Sequence, residues 1–158
     1  MDSALFKNWI TFIKTKNMNR TGPIIIIEDD KGDQELLNIA FEELNIRNKI
    51  IFFQDPEIAL DYLMTSTEEP FIILSDLNMP KLSGLELREK IHTNEDLRLK
   101  CIPYLFFSTS AEQKYVVDAY SKSVQGFFIK PNTVDGLTKV LGTIVQYWQQ
   151  CESPNFVK

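Results

Sequence analysis

The chain has 158 residues, 44% of them hydrophobic and 25% charged, with a net charge of −5 at pH 7 and an isoelectric point near 4.9. That length fits one domain with a real core. The acidic balance, with no clustered Lys and Arg, argues against a partner such as nucleic acid or an anionic membrane, because both are held by concentrated positive charge.

No apolar run approaches the ~20 residues that cross a bilayer. Lys7, Asn8, Lys14 and Lys16 interrupt the first twenty residues, which also lack a small-residue cleavage site, so no signal peptide is expected. Two cysteines, Cys101 and Cys151, do not make a disulfide framework. With a single histidine, His92, they do not make a four-ligand zinc site either. Reduced thiols and a cytoplasmic location are the expectation.

Leu5, Phe6, Trp9, Ile10, Phe12 and Ile13 recur at helical spacing and predict a short amphipathic helix. Residues 14–22 read as a polar linker. Residues 1–22 are therefore expected to form an arm, either loosely attached (with Met18 as an alternative start) or used in a dimer or partner contact. From residue 23 the pattern changes. Residues 23–27 are a β-branched run that suits a strand buried on both faces of a parallel sheet. Leu36, Leu37, Ala40, Phe41 and Leu44 then form a helical stripe within 33–44. A strand over 49–53 follows, then a helix opened by Asp55 or Pro56, with proline at home in a first turn. The alternation continues with a strand over 71–75, a helix over 84–91, a strand over 103–107, a helix over 111–121, a strand over 126–129 and a helix over 133–148. Five strand–helix units in strict alternation predict an α/β domain over 23–148 with helices on both faces of a parallel sheet, followed by a tail over 149–158.

In such a sheet the chemistry sits outside the carboxyl ends of the strands. The first strand ends in Glu28-Asp29-Asp30, the third in Asp76-Leu77-Asn78-Met79-Pro80, the fourth in Ser108-Thr109-Ser110 and the fifth in Lys130-Pro131. One edge then holds several carboxylates, hydroxyls and a lysine. Like charges crowded together are costly unless compensated. A hard divalent cation with oxygen ligands compensates them, and Mg²⁺ does so with one or two carboxylates plus water and phosphate oxygens. A lysine opposite supplies a point charge suited to phosphate. This arrangement suits phosphoryl transfer to a carboxylate, with a nearby hydroxyl turning the new phosphate into a loop movement. Each cluster also has a plainer reading: acidic residues and Ser-Thr-Ser as helix caps, Asp-Leu-Asn-Met-Pro as a turn, and Lys-Pro as a surface turn. Their order, after successive strands, makes the combination specific.

On these residues the chain resembles the response-regulator receiver domain over about residues 23–148, and the stretch Ile73 to Gly84 is similar to that family's phosphoacceptor motif. The resemblance implies a flavodoxin-like (βα)5 three-layer sandwich with strand order 2-1-3-4-5. It makes Asp76 the phosphoacceptor for a histidine kinase, with Asp29 a direct Mg²⁺ ligand, Glu28 acting mostly through water and Asn78 contributing its backbone carbonyl. Lys130 is implied to pair with the phosphoryl group, its bond to Pro131 expected to be cis. Ser108 falls at the switch hydroxyl, with Thr109 the neighbouring candidate, and Phe127 at the aromatic switch position, without a phenol. Asn78 and Ser110 fall where the family tunes dephosphorylation.

The stretch 93–101, with Asp61-Tyr62-Leu63 and Gln146-Tyr147-Trp148, is similar to small receivers that work with phytochrome-type kinases. Such receivers pair through their fourth helix, fifth strand and fifth helix, where Tyr115, Val116, Tyr120 and Phe127 are candidates for a homodimer contact or for ordinary core and rim positions. Only ten residues follow Trp148, so a stand-alone regulator is expected, with output through a downstream protein target or a phosphotransfer protein. His92 is expected to be a solvated residue at a helix end. The alternatives are a haloacid-dehalogenase-like phosphohydrolase, which would carry a second acid where Asn78 stands, a receiver-like binding module that is never phosphorylated, and a flavin-binding module, which lacks its phosphate loop here.

Overall fold

The computed structural model describes residues 20–152 together with Ala4. The helix predicted within residues 1–22 and most of the tail lie outside the described residues. Five strands, β1 (Ile24–Ile27), β2 (Ile50–Phe53), β3 (Ile72–Ser75), β4 (Tyr104–Ser108) and β5 (Gly126–Ile129), form one parallel sheet in the order β2-β1-β3-β4-β5. Six helices join and flank them: α1 (Lys31–Leu44), α2 (Pro56–Thr65), α3 (Gly84–Thr93), α4 (Glu95–Leu99), α5 (Gln113–Ser121) and α6 (Val134–Gln150).

The side-chain alternation of the strands sorts the helices into two layers. Ile24, Ile26, Ile72, Leu74, Leu105 and Phe107 face one way and pack on Leu37 and Phe41 of α1 and Leu141 and Ile144 of α6. Ile25, Ile27, Ile73, Tyr104 and Phe106 face the other way and pack on α2, α3, α4 and α5 through Leu63, Leu87, Leu97 and Ala119. A strand covered on both faces has no use for polar alternation, which is why β1 is four isoleucines.

Caps set where the helices begin. Asp30, Asp55, Asn94 and Thr133 each accept a backbone N–H from the first turn they precede, and Ser83 and Glu86 form a reciprocal capping box at α3. Several boundaries shift by one or two residues from the sequence reading. The helix expected from residue 111 begins at Gln113, because Glu112 in the cap position makes no side-chain cap bond. The stretch 93–101 contains the extra helix α4, only five residues long, capped by Asn94 and anchored by the buried Leu97. His92 lies in the last turn of α3, half-buried. Tyr115 and Phe127 pack partly into the core, whereas Tyr120 stands in solvent.

Candidate functional site at the carboxyl edge of the sheet

The parallel register delivers the predicted residues to one edge. Ile27 pairs with Ser75, so Glu28 and Asp29 leave β1 beside Asp76, whose N–H donates to the Ile27 carbonyl at 2.9 Å. Ser108 pairs with Ile129, so the Lys130 N–H meets the Ser108 carbonyl at 2.8 Å. Glu28, Asp29 and Asp76 each offer a carboxylate oxygen, and the three oxygens lie within 4.8 Å of one another. Asp30 takes no part in that group. Its side chain caps α1 by accepting the Asp33 N–H at 2.8 Å, so the plainer capping reading holds for this member of the acidic run alone.

The side chains are held tightly. Asp76 Oδ1 accepts the Leu77 N–H at 2.7 Å, and the buried Ser108 ends the neighbouring strand β4. Glu28 is buried. Its Oε1 accepts the Asp30 N–H at 3.1 Å, and its Oε2 accepts a proton of Lys130 Nζ at 2.5 Å. Lys130 Nζ also donates to Asp33 Oδ2 at 2.7 Å. Ser108 is buried and its Oγ takes the Ser110 N–H at 3.3 Å. Thr109 and Asn78 are exposed on their loops. Phe127 is half-buried, with its ring 5.8 Å from Phe106.

Burial raises the Asp76 carboxyl above its ordinary range, opposed by the charge of Lys130 and the Leu77 N–H and reinforced by Asp29. Burial likewise raises Glu28, against the pull of Lys130. For Lys130, burial alone would lower the ammonium, but the hydrogen bonds it donates to Asp33 and Glu28 and the charges of Glu28 and Asp76 outweigh it and hold it above its ordinary value. An acidic group of this kind is a ready site for a hard cation, whose charge would relieve the crowding that lifts these carboxyls. The donor set is all oxygen, which fits Mg²⁺ or Mn²⁺ better than a softer metal.

Two features were not read from the sequence, and one expectation is overturned. Asp33 shares Lys130 with Glu28, a contact across 97 positions that no local pattern announces. Gly84 lies against the Asp76 backbone, and a β-carbon there would sit 2.2 Å from the Asp76 carbonyl oxygen. The Lys130–Pro131 bond is trans, as are all peptide bonds among the described residues, which corrects the cis expectation. Trans is the intrinsically favoured isomer by about 0.5–1 kcal/mol, and in this form the Lys130 side chain already reaches Glu28 and Asp33. None of the described helices is long and apolar enough to cross a membrane.

Comparison with known proteins agrees with this architecture. A model of the response regulator receiver domain matches residues 24–142. The regulatory protein FilR2 of Methanothrix harundinacea (strain 6Ac) is 33% identical over 79% of this chain and 82% of its own length. Response regulator Rcp1 of Synechocystis sp. (strain ATCC 27184 / PCC 6803 / Kazusa) is 30% identical over 79% of this chain and 87% of its own. The Mn²⁺-bound crystal structure of Rcp1 superimposes with a TM-score of 0.71 at 28% identity, covering 84% of this chain and 97% of that one. The phosphorylated cyanobacterial phytochrome response regulator RcpA superimposes with a TM-score of 0.75 at 25% identity, covering 84% and 96%. The chain belongs to the response regulator receiver domain family.

Proposed function

We propose that Asp76 accepts a phosphoryl group from a histidine kinase in a Mg²⁺-dependent reaction, and that the modification switches a surface read by another protein. The observation that carries this reading is the grouping of the Glu28, Asp29 and Asp76 carboxylates within 4.8 Å, with the Lys130 ammonium bound at Glu28. The Mn²⁺-bound form of Rcp1 and the phosphorylated form of RcpA support the metal and the modification.

The roles follow from the partners each group already has. Leu77 N–H holds Asp76 Oδ1, which leaves the second oxygen to form the new O–P bond as the donor's P–N bond breaks. Both Glu28 oxygens carry hydrogen bonds, to the Asp30 N–H and to Lys130, which favours a water-mediated role for Glu28 and a direct one for Asp29. Asn78, two residues beyond Asp76, would add its backbone carbonyl. When bound, Mg²⁺ supplies charge neutralisation and orientation to a phosphoryl oxygen. Lys130 then pairs with the transferred group, and Ser108 hydrogen-bonds it, with Thr109 as its neighbour at the same loop. Ser108 moving toward the phosphoryl group makes room beside β4, into which Phe127 turns.

Downstream of that movement lie α5, β5 and α6. Val117, Tyr120 and Ile129 expose apolar surface there, suited to a kinase, a target protein, a phosphotransfer protein or a second copy of the chain. A cytoplasmic setting and a phytochrome-type kinase as phosphoryl donor complete the reading. The test is acetyl phosphate with Mg²⁺, followed by intact mass: one phosphate per chain in the wild type and none in Asp76→Asn. Steady turnover of many phosphomonoesters would overturn it in favour of a hydrolase.

A further inference from the structure

Lys130 is almost completely buried, with 4% of its side chain exposed, and its Nζ is claimed from one side by two carboxylates, Glu28 Oε2 at 2.5 Å and Asp33 Oδ2 at 2.7 Å. No hydrogen bond joins Lys130 to Asp76 among the described residues. The two partners differ in kind. Glu28 is 2% exposed and belongs to the carboxylate group beside Asp76, whereas Asp33 is 31% exposed and stands outside that group. Asp33 is also fixed in place: its N–H is bound to Asp30 Oδ1 at 2.8 Å in the first turn of α1, and the next residue, Gln34, donates from Nε2 to the Glu28 carbonyl at 2.5 Å.

We infer that Asp33 is a positioning residue, a latch that holds the Lys130 ammonium toward α1 and away from Asp76 while Asp76 is unmodified. A lysine has three N–H donors on a rotatable stem. Two are taken by Glu28 and Asp33, so the Asp33 bond competes with a phosphoryl group on Asp76 for the direction of the ammonium. Asp33 is the more exposed partner, so water replaces Lys130 there more readily than at Glu28. Asp33 therefore sets how readily Lys130 changes partners, and with it the ease of entering the modified state. This inference rests on the phosphoacceptor reading for its functional consequence but not for the contact itself.

The test uses Asp33→Asn, which keeps the shape and removes the charge, in wild-type and Lys130→Met backgrounds. Asp33→Ser stands in if the first variant does not fold, as judged by its amide spectrum. In the metal-free protein, the Lys130 ammonium protons should be protected from exchange in ¹⁵N NMR, and Asp33→Asn should weaken that protection. Titration with beryllofluoride in saturating Mg²⁺ should show binding tightened roughly fivefold by Asp33→Asn, the scale of one partly exposed charge-assisted hydrogen bond. In the Lys130→Met background the gain should fall below about twofold. Unchanged ammonium protection overturns the inference. So does an equal gain in both backgrounds, which would mark a bulk effect of charge, or weakened binding, which would mark Asp33 as an aid to catalysis instead of a latch. If the wild type binds no beryllofluoride while the ammonium signal still responds to Asp33→Asn, the phosphoacceptor reading fails and the positioning of Lys130 by Asp33 stands.

Discussion

Replacing Gly84 by alanine should cost about 2 kcal/mol of stability and distort the candidate site together with the fold. The added β-carbon would lie 2.2 Å from the Asp76 carbonyl oxygen and 2.8 Å from Cε1 of Phe106. Neither neighbour has room to give way. The Asp76 peptide is tied by its N–H to Ile27 and by its carbonyl to the Ser75 hydroxyl at 2.8 Å, and the Gly84 peptide is tied by its N–H to Leu77 at 2.9 Å and by its carbonyl to the Tyr104 hydroxyl at 3.3 Å. Phe106 is fully buried against Tyr104 and Phe127. Overpacking of a tight site costs typically about 1–3 kcal/mol, and a backbone clash belongs at the upper end of that range. Against it stands about 0.4–1 kcal/mol from a stiffer unfolded chain, which gives the net figure. In urea, with a slope of about 1–3 kcal/mol per molar, the midpoint should fall by roughly 1 M. Beryllofluoride binding should weaken as well, because the backbone that must move carries Asp76. A midpoint within about 0.2 M of wild type at unchanged slope would refute the reasoning.

Millimolar Mg²⁺ should stabilise the wild type by mass action, by about 2.7 kcal/mol at a hundred times the dissociation constant, read as a higher urea midpoint, and Asp29→Asn should abolish the rise; stabilisation that survives would displace Asp29 from the metal. Asp76→Asn should be more stable than wild type at neutral pH without metal. The folded protein holds the Asp76 carboxyl above its ordinary value of 3.8, so its ionised form opposes folding above the raised value, and that penalty disappears as pH falls toward 3.8. The difference in urea midpoint between the two proteins should therefore shrink on acidification, and one that grows would contradict the sign. Arg88 is buried and donates to the Lys122 carbonyl at 2.9 Å and the Ser123 carbonyl at 2.7 Å, so Arg88→Met should cost about 2 kcal/mol by orphaning both, measured by thermal or urea unfolding.

The sequence reading was strongest where the period of the chain and its punctuation agree. Four isoleucines before Glu28-Asp29-Asp30 mark a buried strand and the acidic edge at once, and the same holds for Ile72–Ser75 before Asp76. Helix α6 was legible because Leu137, Leu141, Ile144 and Val145 trace one buried stripe over many turns. Helix α4 was not, since five residues hold too few apolar positions to show a period, and its one sign was Asn94 three residues before Leu97. At the site, Asp76, Glu28, Asp29, Ser108 and Lys130 could be named because each ends a strand. The pairing of Lys130 with Asp33 could not, because it depends on how far α1 leans over β5's exit, which only tertiary packing decides. The same limit applies to Gly84. Its need for a missing side chain comes from the Asp76 carbonyl, eight residues away along a loop whose path the sequence does not state.

The strand order leaves β2 and β5 as the two outer strands, each with one row of backbone donors and acceptors unpaired within the sheet. Rows of that kind invite other chains to add strands, and the usual defences are brevity, charge and proline. Both strands are only four residues long. On β5, where Ile129 stands exposed, Lys130 donates the last ladder bond to Ser108, and Pro131 has no N–H with which to continue. The residue pair that closes the candidate site thus also terminates the edge of the sheet. Changes at Pro131 should accordingly be judged by colloidal behaviour as well as by signalling, since they would lengthen a sticky margin beside an apolar side chain.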